Sequence, residues 1–254
     1  MPFRYDLVWI LAIGLSGTPA CGRWGYSAVG DADAGADAGG AERCAPGEIL
    51  CGDFEDGPGN WILRGDNGGS TTLGVVTSPV AVGGGALRIR TGLDGDGFAA
   101  AEHIFAPVRD GTLYGRVMLW VGLTTAIDEY LVAVQLDDGD DGGLQKLSID
   151  LLPFDNVIVT ATTANPTVRP GSAPGFVRRH EWMCLTFRIE LSQTNGTIEM
   201  FERDRPAVMV RGIDTVPDPG GYHRMLLAAV APSPAIGELV FDAVALGREP
   251  LPCP

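Results

Sequence analysis

Residues 183–191 read Met183-Cys-Leu185-Thr-Phe187-Arg-Ile189-Glu-Leu191, with an apolar side chain at every odd position. Successive side chains of a β-strand point to opposite faces, so this period of two predicts a half-buried strand. The pair Asn195-Gly196 separates this run from a second alternating run at residues 197–202. Asn-Gly between two such runs predicts a hairpin, because both residues tolerate positive φ.

The same period recurs along the chain, and no stretch has a convincing helical period. Further strands are predicted at residues 86–91, 98–105, 113–121, 129–136, 144–152, 157–162, 222–231 and 237–246. Glycine and proline account for 36 and 18 of the 254 residues and separate these runs. Many short strands between turns predict an all-β protein with an antiparallel β-sandwich or barrel.

The beginning of the chain indicates export. Residues 7–15 form an apolar run too short to span a bilayer and typical of a signal peptide, which we expect at residues 1–20. The segment Ser16-Gly-Thr-Pro-Ala20-Cys21 resembles the lipobox of bacterial lipoproteins, although this family usually has Leu at the place of Thr18. The resemblance implies lipidation at Cys21. The alternative is ordinary cleavage nearby, which gives a secreted or periplasmic protein.

The residues after Cys21 predict a spacer followed by one domain. Residues 31–40 contain only Asp, Ala and Gly, so we expect a flexible acidic tether at 21–43 and a folded domain at 44–254. With Cys21 lipidated, four cysteines remain, and they allow three disulfide pairings. We favour Cys44–Cys51 and Cys184–Cys253, with free thiols as the alternative. The formal net charge of −14 disfavours nucleic acid as a partner.

Several segments then resemble, in order, the concanavalin A-like lectin and glucanase jelly rolls, including laminin G-like domains. They are Gly52-Asp-Phe-Glu55-Asp-Gly57, Gly83-Gly-Gly-Ala-Leu-Arg-Ile89, Tyr114-Gly-Arg-Val-Met-Leu-Trp120, Trp182-Met-Cys184 and Glu238-Leu-Val-Phe-Asp242. The resemblance implies an antiparallel β-sandwich jelly roll over residues 44–254. It also implies that a catalytic site, if present, lies on the concave sheet.

Catalytic motifs of the related enzymes are incomplete in this sequence. The Glu-x-Asp-x-x-Glu strand of laminarinase-type glycosidases is absent, and Glu199 and Glu202 point to opposite sides of a strand. The alginate-lyase resemblance is limited to an Arg-rich strand and Gln135, with Asp137 at the place of a histidine. His103 is a candidate general base on the concave face, with an ordinary structural histidine as the alternative. We therefore predict no catalysis, with an atypical lyase or hydrolase as the alternative.

Polar and aromatic side chains on the outward strand positions predict a sugar-binding surface. An aromatic platform beside hydrogen-bonding groups suits a sugar, whose apolar face stacks while its hydroxyls need donors and acceptors. The alternative is that these side chains are simply buried. The predicted ligand-binding residues are Arg88, Arg90, Tyr114, Arg116, Trp120, Gln135 and Asp150.

The resemblance further implies a structural calcium between the first and last strands, at Glu55 and Asp242. We expect Asp242 to share a strand face with Val240, Val244 and Leu246, so its carboxylate needs a partner. A hydrogen-bonded Asp or an Arg pair is the alternative to a metal ion.

Together these patterns predict an exported bacterial protein, lipid-anchored at the outer membrane or cell surface, that binds a polysaccharide or cell-envelope glycan. We expect a monomer that contacts the membrane only through its N-terminal lipid. A structural or adhesive envelope protein is the other alternative, with the binding face covered by a loop such as the Pro-rich residues 163–180.

Overall fold

Fourteen strands in two antiparallel sheets make up the domain in the computed structural model, which describes residues 44–65, 72–90, 98–122, 131–139, 145–164, 166–230 and 238–254. The predicted signal peptide, the tether and Cys21 lie outside these residues. None of the described residues belongs to a helix long and apolar enough to cross a membrane. The prediction of an all-β sandwich is confirmed.

The two sheets differ in size. The eight-stranded sheet has the order β12 (Arg205–Ile213), β11 (Gly196–Glu202), β10 (Trp182–Glu190), β6 (Thr112–Val121), β14 (Glu238–Gly247), β4 (Ala86–Arg90) and β3 (Thr72–Val76), and β1 (Glu48–Gly52) also pairs with β14. The six-stranded sheet has the order β2 (Ile62–Gly65), β5 (Phe98–Val108), β13 (Tyr222–Val230), β7 (Leu131–Asp137), β8 (Lys146–Leu152) and β9 (Asn156–Ala161). A short 3₁₀ turn at Pro153–Asp155 joins β8 to β9.

The core lies between the sheets and is built from the alternate residues of each strand. The eight-stranded sheet contributes fully buried side chains such as Leu87, Leu119 and Phe241, and the six-stranded sheet contributes Ile149 and Leu227. Because the apolar residues alternate, the intervening positions of the same strands point away from the core. A binding site formed by strand residues therefore has to lie on one of the two outer faces.

The start of the domain differs from the prediction. The segment Gly52–Gly57 resembles the opening strand of the jelly rolls, but here strand β1 ends at Gly52 and most of this segment lies in the turn after it. Phe54 has a left-handed backbone with φ of 58°, which turns the chain while its ring stays buried. The edge strand β12 was not predicted from the sequence, because residues 206–210 read Pro-Ala-Val-Met-Val and show no alternation of polar and apolar residues. In the structure Val208 is buried and Met209 is half exposed.

The predicted hairpin joins β10 to β11, but its turn is of another kind. Neither Asn195 nor Gly196 is left-handed, so the turn is not the expected Asn-Gly type. Instead, Ser192 Oγ accepts hydrogen bonds from the Thr194 and Asn195 N–H groups, at 3.3 and 3.1 Å. Gly196 is needed for close packing, since a Cβ there would lie 2.2 Å from Thr215 Oγ1.

A bulge in β14 changes the predicted orientation of its last residues. Ala243 has φ of 43°, and the register against β6 slips after Asp242. The extra residue reverses the alternation, so Val244 and Leu246 face the core while Asp242 and Val240 lie on the outer face. The expectation that all four side chains share one face is therefore wrong.

Both predicted disulfides are confirmed. Cys44 is bonded to Cys51 within a short loop, and Cys184 of β10 is bonded to Cys253 across 69 residues. The second bond attaches the C-terminal segment to the outer face of the eight-stranded sheet. This segment therefore occupies part of a surface that was expected to bind ligand.

Candidate functional site

The seven predicted ligand-binding residues are divided between opposite sides of the sandwich. Strands β4 and β6 place five of them on the outer face of the eight-stranded sheet: Arg88, Arg90, Tyr114, Arg116 and Trp120. Gln135 of β7 and Asp150 of β8 lie on the outer face of the six-stranded sheet. The core separates the two faces by the spacing of packed sheets, about 10 Å. The structure therefore does not bring the seven residues into one surface.

On the eight-stranded sheet, two of these residues have structural contacts. Arg116 donates hydrogen bonds to the carbonyls of Ala243 and Pro252, at 2.9 and 3.0 Å, and so holds the C-terminal segment. Trp120 is 9% exposed and packs in a small cluster with Ala86 and Val240. Burial of outward-facing side chains by the protein itself was the alternative to a sugar platform.

The remaining three residues of this face are more accessible. Arg88 is half-buried and Arg90 is exposed. Tyr114 lines a cleft of about 160 Å³ with Arg188, Phe201 and other residues. This volume is smaller than the roughly 300–1,000 Å³ typical of small-molecule sites. The cleft is thus too small to enclose a ligand such as those held in typical small-molecule sites.

The outer face of the six-stranded sheet has a different character. It carries polar side chains from all six strands, which we call the polar face: Arg64, Glu102, Gln135, Asp137, Ser148, Asp150, Thr160 and Arg224. All of these except the two arginines are buried. These six side chains point away from the core, so packing between the two sheets does not explain why they are buried.

Ion pairs organise one half of the polar face. The Nε and Nη2 atoms of Arg224 donate to the two carboxylate oxygens of Asp137, at 2.7 and 3.0 Å. Glu102 pairs with Arg64 and lies 3.8 Å from Arg224 Nη1. Gln135 Nε2 donates to Asp137 Oδ2 at 2.6 Å. These contacts connect strands β2, β5, β13 and β7 through their side chains.

The charge of Arg224 is maintained by its acidic neighbours. Burial alone would lower the pKa of the Arg224 guanidinium, but the hydrogen bonds to Asp137 and the charges of Asp137 and Glu102 outweigh burial, so the pKa is raised. Two parallel N–H···O bonds to one carboxylate are the strong, geometrically specific form of an ion pair. Arg224 is therefore a fixed cation at the centre of the polar face.

Asp150 has the most unusual environment on the polar face. It is 3% exposed, and Thr160 Oγ1 donates to its Oδ2 atom at 2.7 Å. Its Oδ1 atom is buried and has no hydrogen-bond partner among the described residues. Burial raises the pKa of the Asp150 carboxyl, although the Thr160 and Ser148 hydroxyls and the charges of Lys146 and Arg169 offset part of the rise.

His103 does not lie where a candidate general base was expected. His103 points inward, with its ring 5.3 Å from that of Trp61, and burial lowers the pKa of its imidazole. A general base on the concave outer face was the expectation, but the alternation of β5 points the His103 ring toward Trp61 of the core and away from the outer face. In residues 163–180, Val168 and Gly171 bridge to the edge strand β9, and Phe176 is buried in the core.

Four residues of the polar face were not singled out from the sequence: Arg64, Glu102, Thr160 and Arg224. The available signal was a single charged residue at an outward position of a mostly apolar strand, such as Glu102 after Ala99-Ala-Ala or Arg224 before Met225-Leu-Leu. This signal is weak because it does not tell which sheet a strand joins. The Arg88-Ile-Arg90 pattern looked equally suitable but belongs to the other sheet.

The two residues predicted to bind calcium both anchor the segment before β4. Asp242 Oδ2 accepts the N–H groups of Ala81 and Val82, both at 2.9 Å, and Glu55 accepts that of Gly84 at 2.8 Å. Burial raises the pKa of the Asp242 carboxyl and the negative charge of Glu55 adds to this, against the stabilising backbone N–H groups. Neither carboxylate forms an ion pair with the described basic residues.

This arrangement fits a cation. Two neighbouring carboxylates repel each other, and oxygen ligands from distant strands are what calcium prefers. Both carboxylates also retain free lone pairs beside their N–H donors. A second cluster, Cys44, Glu48 and Cys51, has its sulfurs close enough for a metal but engaged in a disulfide.

Comparison with known proteins supports the fold. No family model and no curated protein sequence matches the chain. Among solved structures, it is similar to the cellulose-induced protein Cip1, with a TM-score of 0.63, 15% identity, and coverage of 81% of this chain and 100% of that one. An endo-β-1,4-glucuronan lyase from the fungus Trichoderma reesei has a TM-score of 0.58, 13% identity, and coverage of 74% and 90%.

A third similar structure is the alginate lyase vAL-1 from Chlorella virus, with a TM-score of 0.52, 9% identity, and coverage of 80% of this chain and 100% of that one. Identities this low show a common fold. The domain is a concanavalin A-like jelly roll, and the resemblance inferred from the sequence is confirmed.

The ion pairs of the polar face predict a large effect on stability. Replacing Arg224→Ala leaves the fully buried Asp137 carboxylate without its cation, so we expect a loss of about 3–5 kcal/mol in the free energy of unfolding. Arg211→Ala removes an exposed arginine whose pair with Glu199 is 3.4 Å long, and should cost less than about 1 kcal/mol. Urea unfolding of both variants measures the difference. Equal losses would contradict the assignment of Arg224 to a buried network.

Proposed function

We propose that the protein binds a glycan on the polar face of the six-stranded sheet without catalysing a reaction. The observation that carries this proposal is the set of six buried polar side chains on a face that does not belong to the core. Structures with this fold include a cellulose-induced protein and polysaccharide lyases, which supports a carbohydrate ligand.

The chemistry of the polar face suits a sugar. Carboxylates, guanidiniums, an amide and hydroxyls offer both acceptors and donors, as sugar hydroxyls require. Ile62 and Ile104 lie on the same face near Glu102 and are about half exposed, at 48% and 56%. They provide apolar surface that the C–H side of a sugar ring would cover.

The ion pairs argue against catalysis by the carboxylates at the centre of the face. Retaining and inverting glycosidases need one carboxylic acid that gives up a proton and a second carboxylate that is free to attack or activate water. Glu102 and Asp137 are both held in ion pairs with guanidiniums, so neither carboxylate is free to attack a sugar or to activate water. We therefore infer that these groups bind and orient ligand.

The place of the protein in the cell follows from its N-terminal residues. We propose that residues 1–20 are removed on export, that Cys21 carries the lipid, and that residues 21–43 space the binding domain from the outer membrane or cell surface. The net charge of −14 favours a glycan over nucleic acid as the partner, and we propose a monomer. Mass spectrometry of the mature N-terminus should find a diacylated or triacylated Cys21. An unmodified terminus would exclude the anchor.

Binding should be lost when the polar face is altered. We expect the purified protein to be retained on a member of a panel of insoluble and immobilised polysaccharides without releasing product. Gln135→Ala removes a side chain that contacts Asp137 on the polar face and should weaken retention at least about tenfold. Arg90→Ala, on the opposite sheet, is the matched control and should be retained like the unaltered protein.

The other outcomes of this experiment identify other functions. Loss of binding in Arg90→Ala alone would place the site on the eight-stranded sheet, with Arg88, Tyr114, Arg116 and Trp120. Product release would show a lyase or hydrolase. Neither binding nor product across the panel would favour a structural or adhesive surface protein.

We also propose that Glu55 and Asp242 bind a structural calcium. Calcium at a hundredfold excess over its Kd should stabilise the fold by about 2.7 kcal/mol, and thus raise the melting temperature by roughly 5–10 °C for a domain of this size. A chelator should reverse the shift, and Asp242→Asn should abolish it while Asp204→Asn, an exposed control, should keep it. A melting temperature that does not respond to calcium would exclude the site.

A further inference from the structure

Asp150 is a candidate for direct ligand recognition. A buried carboxylate oxygen without a hydrogen-bond partner is costly, because water no longer solvates it. Asp150 Oδ1 is such an atom, and it lies on the polar face beside the buried hydroxyls of Ser148 and Thr160. Thr160 donates to Oδ2, and the Ser148 hydroxyl also stabilises the charged carboxylate, but neither hydroxyl supplies a hydrogen bond to Oδ1. The group missing from this site is therefore one hydrogen-bond donor at Oδ1.

The charge around Asp150 indicates which ligand would supply this donor. The polar face carries three buried carboxylates, at Glu102, Asp137 and Asp150. Its two arginines, Arg64 and Arg224, each already contact a carboxylate. A further negative charge placed there would therefore approach like charges, and the chain as a whole has a net charge of −14.

Two cations are also near Asp150. Lys146 and Arg169 lie close enough to favour its charged form, and both are more exposed than Asp150 itself. Solvent and salt screen exposed cations more strongly than buried ones. Lys146 and Arg169 therefore offset part of the Asp150 charge and do not make this part of the polar face positive. A hydroxyl group donates a hydrogen bond without bringing charge, which matches the vacant acceptor.

We infer that the polar face selects a neutral glycan, one of whose hydroxyl groups donates a hydrogen bond to Asp150 Oδ1. This inference rests on the proposed glycan-binding function and adds the substrate class. It separates the protein from the glucuronan lyase and the alginate lyase that share its fold, because the substrates in their names are polyanions. No covalent bond is made or broken in this interaction.

The test compares neutral and acidic polysaccharides on the purified protein. Affinities for mixed-linkage β-glucan, mannan and xylan, and for alginate and glucuronan, are measured by calorimetry or affinity electrophoresis at one ionic strength. At least one neutral polymer should bind about tenfold or more tightly than either polyuronate. A polyuronate that binds as tightly as the best neutral polymer would overturn the inference and leave the proposed glycan-binding function intact.

A matched pair of variants tests the role of Asp150. Asp150→Asn keeps the shape but replaces the charged acceptor, so affinity for the neutral polymer should fall about tenfold to a hundredfold. Its melting temperature at neutral pH should not fall, because a buried charge is removed. Asp204→Asn removes the same charge from an exposed turn and should leave the affinity unchanged.

The remaining outcomes are distinct. Unchanged affinity in Asp150→Asn would overturn the role of Asp150, whatever its stability. If the variant does not fold, the neutral-to-acidic affinity ratio of the unaltered protein still decides the substrate class. Binding of none of these polymers, nor of any other on the panel, would overturn the proposed function itself.

Discussion

Two β-sheets pack against each other over a hydrophobic core, and this packing determines where the other side chains of the domain lie. Alternate side chains of each strand fill the space between the sheets, as Leu119 of β6 and Ile149 of β8 do. The intervening side chains must then find partners on an outer face. The charged residues of the polar face are placed by this alternation and by the sheet that their strands join.

The outward side chains are covered or paired in different ways on the two outer faces. On the eight-stranded sheet, the protein covers its own surface, because the C-terminal segment is held by the Cys184–Cys253 disulfide and by Arg116. On the six-stranded sheet, the outward residues instead form a network of buried charges around Arg224 and Asp137. Such a network stabilises less than a well-packed apolar cluster would, and the proposed glycan site is built on it.

Much of the fold was predictable from sequence because period-two alternation and turn residues are local signals. They placed most of the central strands, and the disulfide pairs Cys44–Cys51 and Cys184–Cys253 were chosen correctly. Prediction was wrong where tertiary packing altered local geometry. The bulge at Ala243 turned Val244 toward the core. The turn before Gly196 is held by the Ser192 hydroxyl and packs against Thr215, which is distant in sequence and accepts the Ser192 N–H at 3.0 Å.

Periodicity in the sequence was enough to show which side chains of a strand point together, such as Gln135 with Asp137 and Tyr114 with Arg116. The order of the strands, and the side of the sandwich on which each strand lies, became known from the folded domain. Arg88 and Gln135 consequently belong to opposite faces, whereas Arg224 and Asp137, 87 residues apart, are hydrogen-bonded. Strand order depends on contacts between residues distant in sequence, and periodicity within a strand carries no information about them.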